Sequence, residues 1–100
     1  MIVVRFRMQA KPEKAGELQN ALQAVVLPSR AITGVLGFDI ARDLTDATCF
    51  IATEVFEDRA ALERQEELPE VKLVLEILPG CLSADPEATI YDVGSAAPWG

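Results

Sequence analysis

Apolar and polar positions alternate from the start of the chain, with Ile2, Val4, Phe6 and Met8 on one side and Arg5, Arg7 and Gln9 among those on the other. A period of two predicts a strand over Ile2 to Met8. Lys11-Pro12-Glu13 then opens a helix, because proline is tolerated at the first helical position and an acid suits the positive end of the helix dipole. Ala15, Leu18, Leu22 and Val25 recur at helical spacing with Val26 beside them. Pro28 is expected to stop this helix near Val26 or Leu27, leaving Ser29 to Gly34 as a connector.

Val35 to Arg42 reads as a second strand with Leu36, Phe38 and Ile40 on one face. Gly37 within it marks a bulge or a close backbone approach. A polar turn from Asp43 to Ala47 leads into a third strand, Thr48 to Phe56. That strand is nearly all apolar or β-branched, as a central strand covered on both faces would be. Asp58 is placed to cap a helix from Arg59 to about Glu67. Pro69 restarts a helical run in which Val71, Val74, Leu75 and Leu78 form a stripe, widened by Leu73 and Ile77 and ended at Pro79-Gly80. Ala88 to Val93 reads as a fourth strand.

The order β-α-β-β-α-(α)-β is the split βαβ arrangement. The fold class it predicts is α+β and ferredoxin-like, an antiparallel four-stranded sheet with helices on one face. Strands one and three carry apolar residues on both faces, so the bare face also needs cover. Two copies packed sheet against sheet would supply it, giving a homodimer of the dimeric α/β-barrel kind. Residues 1–93 form a single domain on this reading, and 94–100 a tail of small residues carrying the sole tryptophan, Trp99.

Composition narrows the function. Nine basic against sixteen acidic residues give a net charge of −7, and the scattered cations offer no basic face for phosphate. Neither nucleic acid nor an anionic membrane is an expected partner. No apolar run approaches the roughly 20 residues needed to span a bilayer. The first residues begin a strand rather than a signal peptide, so a cytoplasmic location is expected, with Cys49 and Cys81 as reduced thiols. A mean hydropathy of +0.20 agrees with an oligomer. The absence of histidine removes the usual base near neutral pH, the commonest ligand for zinc or haem iron, and any histidine-based triad. No metal or other cofactor is expected.

Among the residues that remain, Glu54 is the best candidate base. A carboxylate at the end of an apolar strand would have its pKa raised by desolvation. Its structural alternative is an ion pair with Arg5, Arg7 or Arg42. Asp39 is expected to pair with Arg5 or Arg7, and Asn20 to be solvated. The acid-rich stretch Glu63 to Glu70 reads as helix surface. Phe6, Phe38, Phe50 and Phe56 are core or pocket wall.

The run from Gly34 through Phe38 to Arg42 and Asp43 resembles a known family, as does the run from Phe50 through Glu54 and Phe56 to Asp58, followed by Ala60, Ala61 and Leu62. The family is that of the antibiotic biosynthesis monooxygenases, dimeric α+β barrels. The resemblance implies a ligand held between the helices and the sheet of one subunit. It also implies one of two activities: cofactor-independent oxygenation of phenolic or quinol-like compounds, or oxidative haem breakdown. An ungapped match places Phe6, Gln65 and Leu75 where the haem-degrading branch has asparagine, tryptophan and histidine. Leucine cannot ligate iron, so haem degradation is not expected.

The resulting site expectation is Glu54 as base, Gln65 as the group that orients the substrate, and Phe6, Phe38, Phe56 and Leu75 as substrate-binding wall. The substrate would be a small aromatic molecule oxidised with O2. A non-catalytic binding or dimerisation module, and an isomerase or lyase using only a carboxylate, remain open beside the monooxygenase reading.

Overall fold

A computed structural model describes residues 1–100. Strands β1 (Ile2–Gln9), β2 (Val35–Asp43), β3 (Asp46–Phe56) and β4 (Glu87–Asp92) form one sheet in the order β2-β3-β1-β4. All three pairings are antiparallel. Helices α1 (Ala15–Arg30), α2 (Arg59–Glu66) and α3 (Pro69–Cys81) complete an α+β, ferredoxin-like fold. The sheet is open, not closed into a barrel.

Register determines which side chains meet. Val4 lies opposite Glu54 and Ile90, and Phe6 opposite Ala52 and Ala88. Phe38 lies opposite Glu54, and Ile40 opposite Ala52. These residues share the face under the helices. The main core joins Met8, Phe38 and Phe50 of the sheet to Leu18, Leu22 and Val25 of α1 and Val71, Val74 and Leu78 of α3. A smaller cluster joins Ile2, Val4 and Phe56 to Ala61 of α2.

On the opposite face Gly37, Val55, Val3 and Tyr91 follow one another across all four strands, an apolar row with no helix over it. No residue of β4 is buried on either side.

Four expectations are corrected. Pro28 does not stop α1, which runs on to Arg30. A proline in the last turn removes only one N–H bond near an end that is already short of partners, and burial of Ser29 continues the stripe of Leu18, Leu22 and Val25. Pro79 likewise lies inside α3, whose buried stripe is Val71, Val74, Leu78 and Cys81. Leu73 and Leu75, expected on that stripe, are each 51 % exposed. Leu36 does not share the face of Phe38: the register shift between Val35 and Gly37 makes it the extra residue of a bulge, and it is exposed.

Gly34 brings α2 close to the start of β2. Its φ is +90°, and a Cβ there would stand 2.7 Å from the Ala61 Cβ. Arg64 reaches back over this turn, donating from Nη2 to the Thr33 carbonyl at 2.7 Å. The Asp58 side chain caps α2, its Oδ1 accepting from the Ala61 N–H at 2.9 Å. α2 is thereby held against the sheet with its buried residues, Ala61 and Gln65, facing inward.

Candidate functional site

Between the helices and the sheet lies a cavity of about 250 Å³. Its floor is Val4, Phe6, Met8, Phe38, Ile40, Ala52 and Glu54, and its walls come from α1, α2 and α3. Eighteen residues line it, fifteen of them hydrophobic. The polar exceptions are Glu54, Gln65 and Glu66. Ala88 and Ile90 of β4 line the cavity and are exposed, so the cavity meets solvent along this strand. Exposed Leu75 and Ile90, with the exposed Glu66, stand at the mouth.

Glu54 is part-buried on the floor and makes no ion pair or side-chain hydrogen bond. The three arginines considered as its partners are placed elsewhere. Arg7 pairs with Asp43 at 3.5 Å, and Arg42 contacts Gln19 and stacks on the Phe50 ring, 5.0 Å from its centroid. Arg5 neighbours Thr53 and Thr89 on the other sheet face, in register with β3 and β4. Burial, and secondarily the charge of Glu66, pushes the Glu54 carboxyl up to about 7. A carboxylic acid that titrates there can hold or take a proton at neutral pH.

Gln65 is 3 % exposed, and its Nε2 donates to the Ser29 Oγ at 3.0 Å. Its side chain is thus tethered at one end while it lines the cavity. A helix stop at Pro28 leaves Ser29 in a connector, whereas it is a buried residue of α1. Its spacing of four from Val25 and seven from Leu22 is the signal that would have found it.

Phe6, Phe38 and Leu75 line the cavity, but Phe56 does not. Fully buried, Phe56 packs with Ile2, Val4 and Ala61, one residue pair beyond the cavity floor. Asp39 pairs with Arg30 Nη2 at 3.0 Å rather than with Arg5 or Arg7, because α1 extends far enough to deliver Arg30. Cys49 and Cys81 are free and buried, and burial raises both thiols. Asn20 is exposed. The acid-rich stretch gathers no group of three side chains that could hold a metal ion. No helix is long and apolar enough to cross a membrane.

The pattern of the antibiotic biosynthesis monooxygenase family matches residues 1–77. The chain belongs to this family. Its match with an uncharacterised protein, sll1783 of Synechocystis, is 30 % identical over 92 residues, covering 92 % of this chain and 63 % of that protein. The chain thus spans under two thirds of the length of that curated relative.

Solved structures of the same fold include PA3566 from Pseudomonas aeruginosa, with a TM-score of 0.85 at 26 % identity over 94 % of each chain. A Deinococcus radiodurans protein, named as a candidate antibiotic biosynthesis monooxygenase, matches with a TM-score of 0.87 at 25 % identity, over 100 % of this chain and 99 % of that one. Rv0793 of Mycobacterium tuberculosis has a TM-score of 0.88 at 20 % identity, over 97 % of this chain and 98 % of that one, a likeness of fold. Membership in the antibiotic biosynthesis monooxygenase family supports a monooxygenase-like function in general terms.

Proposed function

We propose that the protein is a cofactor-independent monooxygenase that oxidises a small aromatic or quinol-like compound with O2 in this cavity. The observation that carries the reading is an uncompensated carboxylate, Glu54, in an apolar enclosure large enough for a small ring. Glu54 takes a proton from the bound phenolic compound, leaving an electron-rich anion. The anion gives electrons to O2, and a carbon–oxygen bond forms to make a peroxide. The peroxide takes that proton back from Glu54. The C–H bond at the same ring carbon then breaks, its proton joining the hydroxide expelled as the O–O bond breaks, which leaves a carbonyl and water. One oxygen atom stays on the product and the other leaves as water, both reducing electrons coming from the substrate. Gln65, held by Ser29, orients the ring, and Phe6, Phe38 and Leu75 contact its faces.

The working form on this reading is a homodimer packed through the open sheet faces and located in the cytoplasm. The row of Gly37, Val55, Val3 and Tyr91 supports that packing, because apolar side chains in the middle of a sheet gain from being covered.

Oxygen uptake by metal-free protein with hydroquinones, naphthols and anthrones tests the proposal. Uptake above the spontaneous rate, reduced at least about a hundredfold in Glu54→Gln, is the expected result for loss of a positioned base. Silence across the panel would favour a non-catalytic binding module or a carboxylate-based isomerase on the same scaffold. The absence of histidine already lends weight to the binding module.

A further inference from the structure

The cavity is charged on one side only. Its polar lining consists of two carboxylates and an amide, with no lysine or arginine. The nearby cations are committed elsewhere: Arg42 to Gln19, Arg30 to Asp39, and Arg64 to the Thr33 carbonyl. Part-buried Glu54 and exposed Glu66 both line the cavity, so a ligand held there has two carboxylates and no cation beside it.

We propose that Glu66 is a specificity-determining residue that makes this cavity favour ring compounds bearing a protonated amine, admit neutral ones, and reject anionic ones. The inference rests on the cavity being the ligand site, and it does not require oxygenation. A carboxylated ring entering here gives up hydration to an apolar wall, with no cation to replace the lost water. It also meets like charge twice: at part-buried Glu54, where the effective dielectric is below that of water, and at exposed Glu66, whose weaker field reaches it at low salt. A protonated amine reverses the sign of that interaction, and Phe6 and Phe38 offer it aromatic faces. A neutral hydroxyl lies between, since it can donate to either carboxylate.

Three ligands of nearly equal shape separate these cases: 2-naphthylmethylamine, 2-naphthol and 2-naphthoate, titrated calorimetrically at neutral pH and low salt. The expected order of affinity is amine, then naphthol, then naphthoate, with naphthoate at least tenfold weaker than naphthol. Glu66→Gln is expected to close the gap between naphthol and naphthoate at least threefold. Glu63→Gln makes the same change in net charge on the same helix at a position outside the cavity lining, and should leave the gap unchanged.

Equal binding of naphthol and naphthoate by the native protein would overturn the proposal. So would equal relief by the two variants, which would trace the discrimination to the net charge of −7 instead of to Glu66. Failure of all three ligands to bind would refute the cavity as a ligand site and this inference with it. The expected order without oxygen uptake would refute the oxygenase alone.

Discussion

Gln65 Nε2 donates to Ser29 Oγ at 3.0 Å, joining the last turn of α2 to the last turn of α1 where both residues are almost wholly buried. The two stand 36 residues apart in the chain, so this contact exists only because both helices cover the same sheet face. It also fixes how Gln65 presents itself to the cavity. Ser29→Ala leaves the amide donor without its buried partner, and is expected to cost about 1–3 kcal/mol in denaturant unfolding. Ligand affinity should fall with it, because the freed amide can rotate. Unchanged stability would show that Gln65 finds another partner or water.

The proton on Glu54 links function to stability. Its folded pKa, about 7, stands above the ordinary value of 4.5. Between those values the folded state binds more protons than the unfolded chain, so stability falls as pH rises through that window and levels off above it. The loss is at most about 3 kcal/mol. Glu54→Gln carries no charge at any pH, so it should lose turnover yet unfold at a higher denaturant concentration than the native protein at pH 8. At pH 4 the advantage should vanish. A variant less stable than native at both pH values would sink this account of Glu54.

Gly34 is a position where only glycine fits. Its φ of +90° is strained for any side chain, and the first carbon of one would press on Ala61 at 2.7 Å. Gly34→Ala should destabilise the protein by about 2–4 kcal/mol, combining backbone strain with displacement of α2. Because α2 carries Gln65 and Glu66, ligand binding should weaken beyond what the fraction unfolded explains. Thermal unfolding and ligand titration of the same sample would separate the two effects.

The open sheet face bears on assembly. Val3 lies between Val55 and Tyr91 in the middle of the apolar row, and it faces away from the helices. If two copies meet there, the native protein sediments at roughly twice the 10.9 kDa of one chain. Val3→Glu would place a charge in the interface at a cost of several kcal/mol and return the mass to that of one chain, with the helical circular dichroism retained. A native mass of one chain at micromolar concentration would refute the dimer.

Much of the fold was legible in the sequence, since strands and capped helices announce themselves through local periods and local chemistry. Alternation placed β1, and Asp58 marked the start of α2. The element order, with its four strands, was enough for the ferredoxin-like architecture. Glu54 stood out because it is an acid in an otherwise apolar strand. Whether its neighbours would be arginines or hydrocarbon is a matter of register and helix cover, and no local pattern reports these. Tertiary structure alone sent Arg7, Arg30 and Arg42 to other partners, put Glu66 beside the mouth, and moved Phe56 out of the wall into a separate cluster. It also carried α1 through Pro28, because burying Ser29 against α2 and delivering Arg30 to Asp39 outweigh the single hydrogen bond a proline removes.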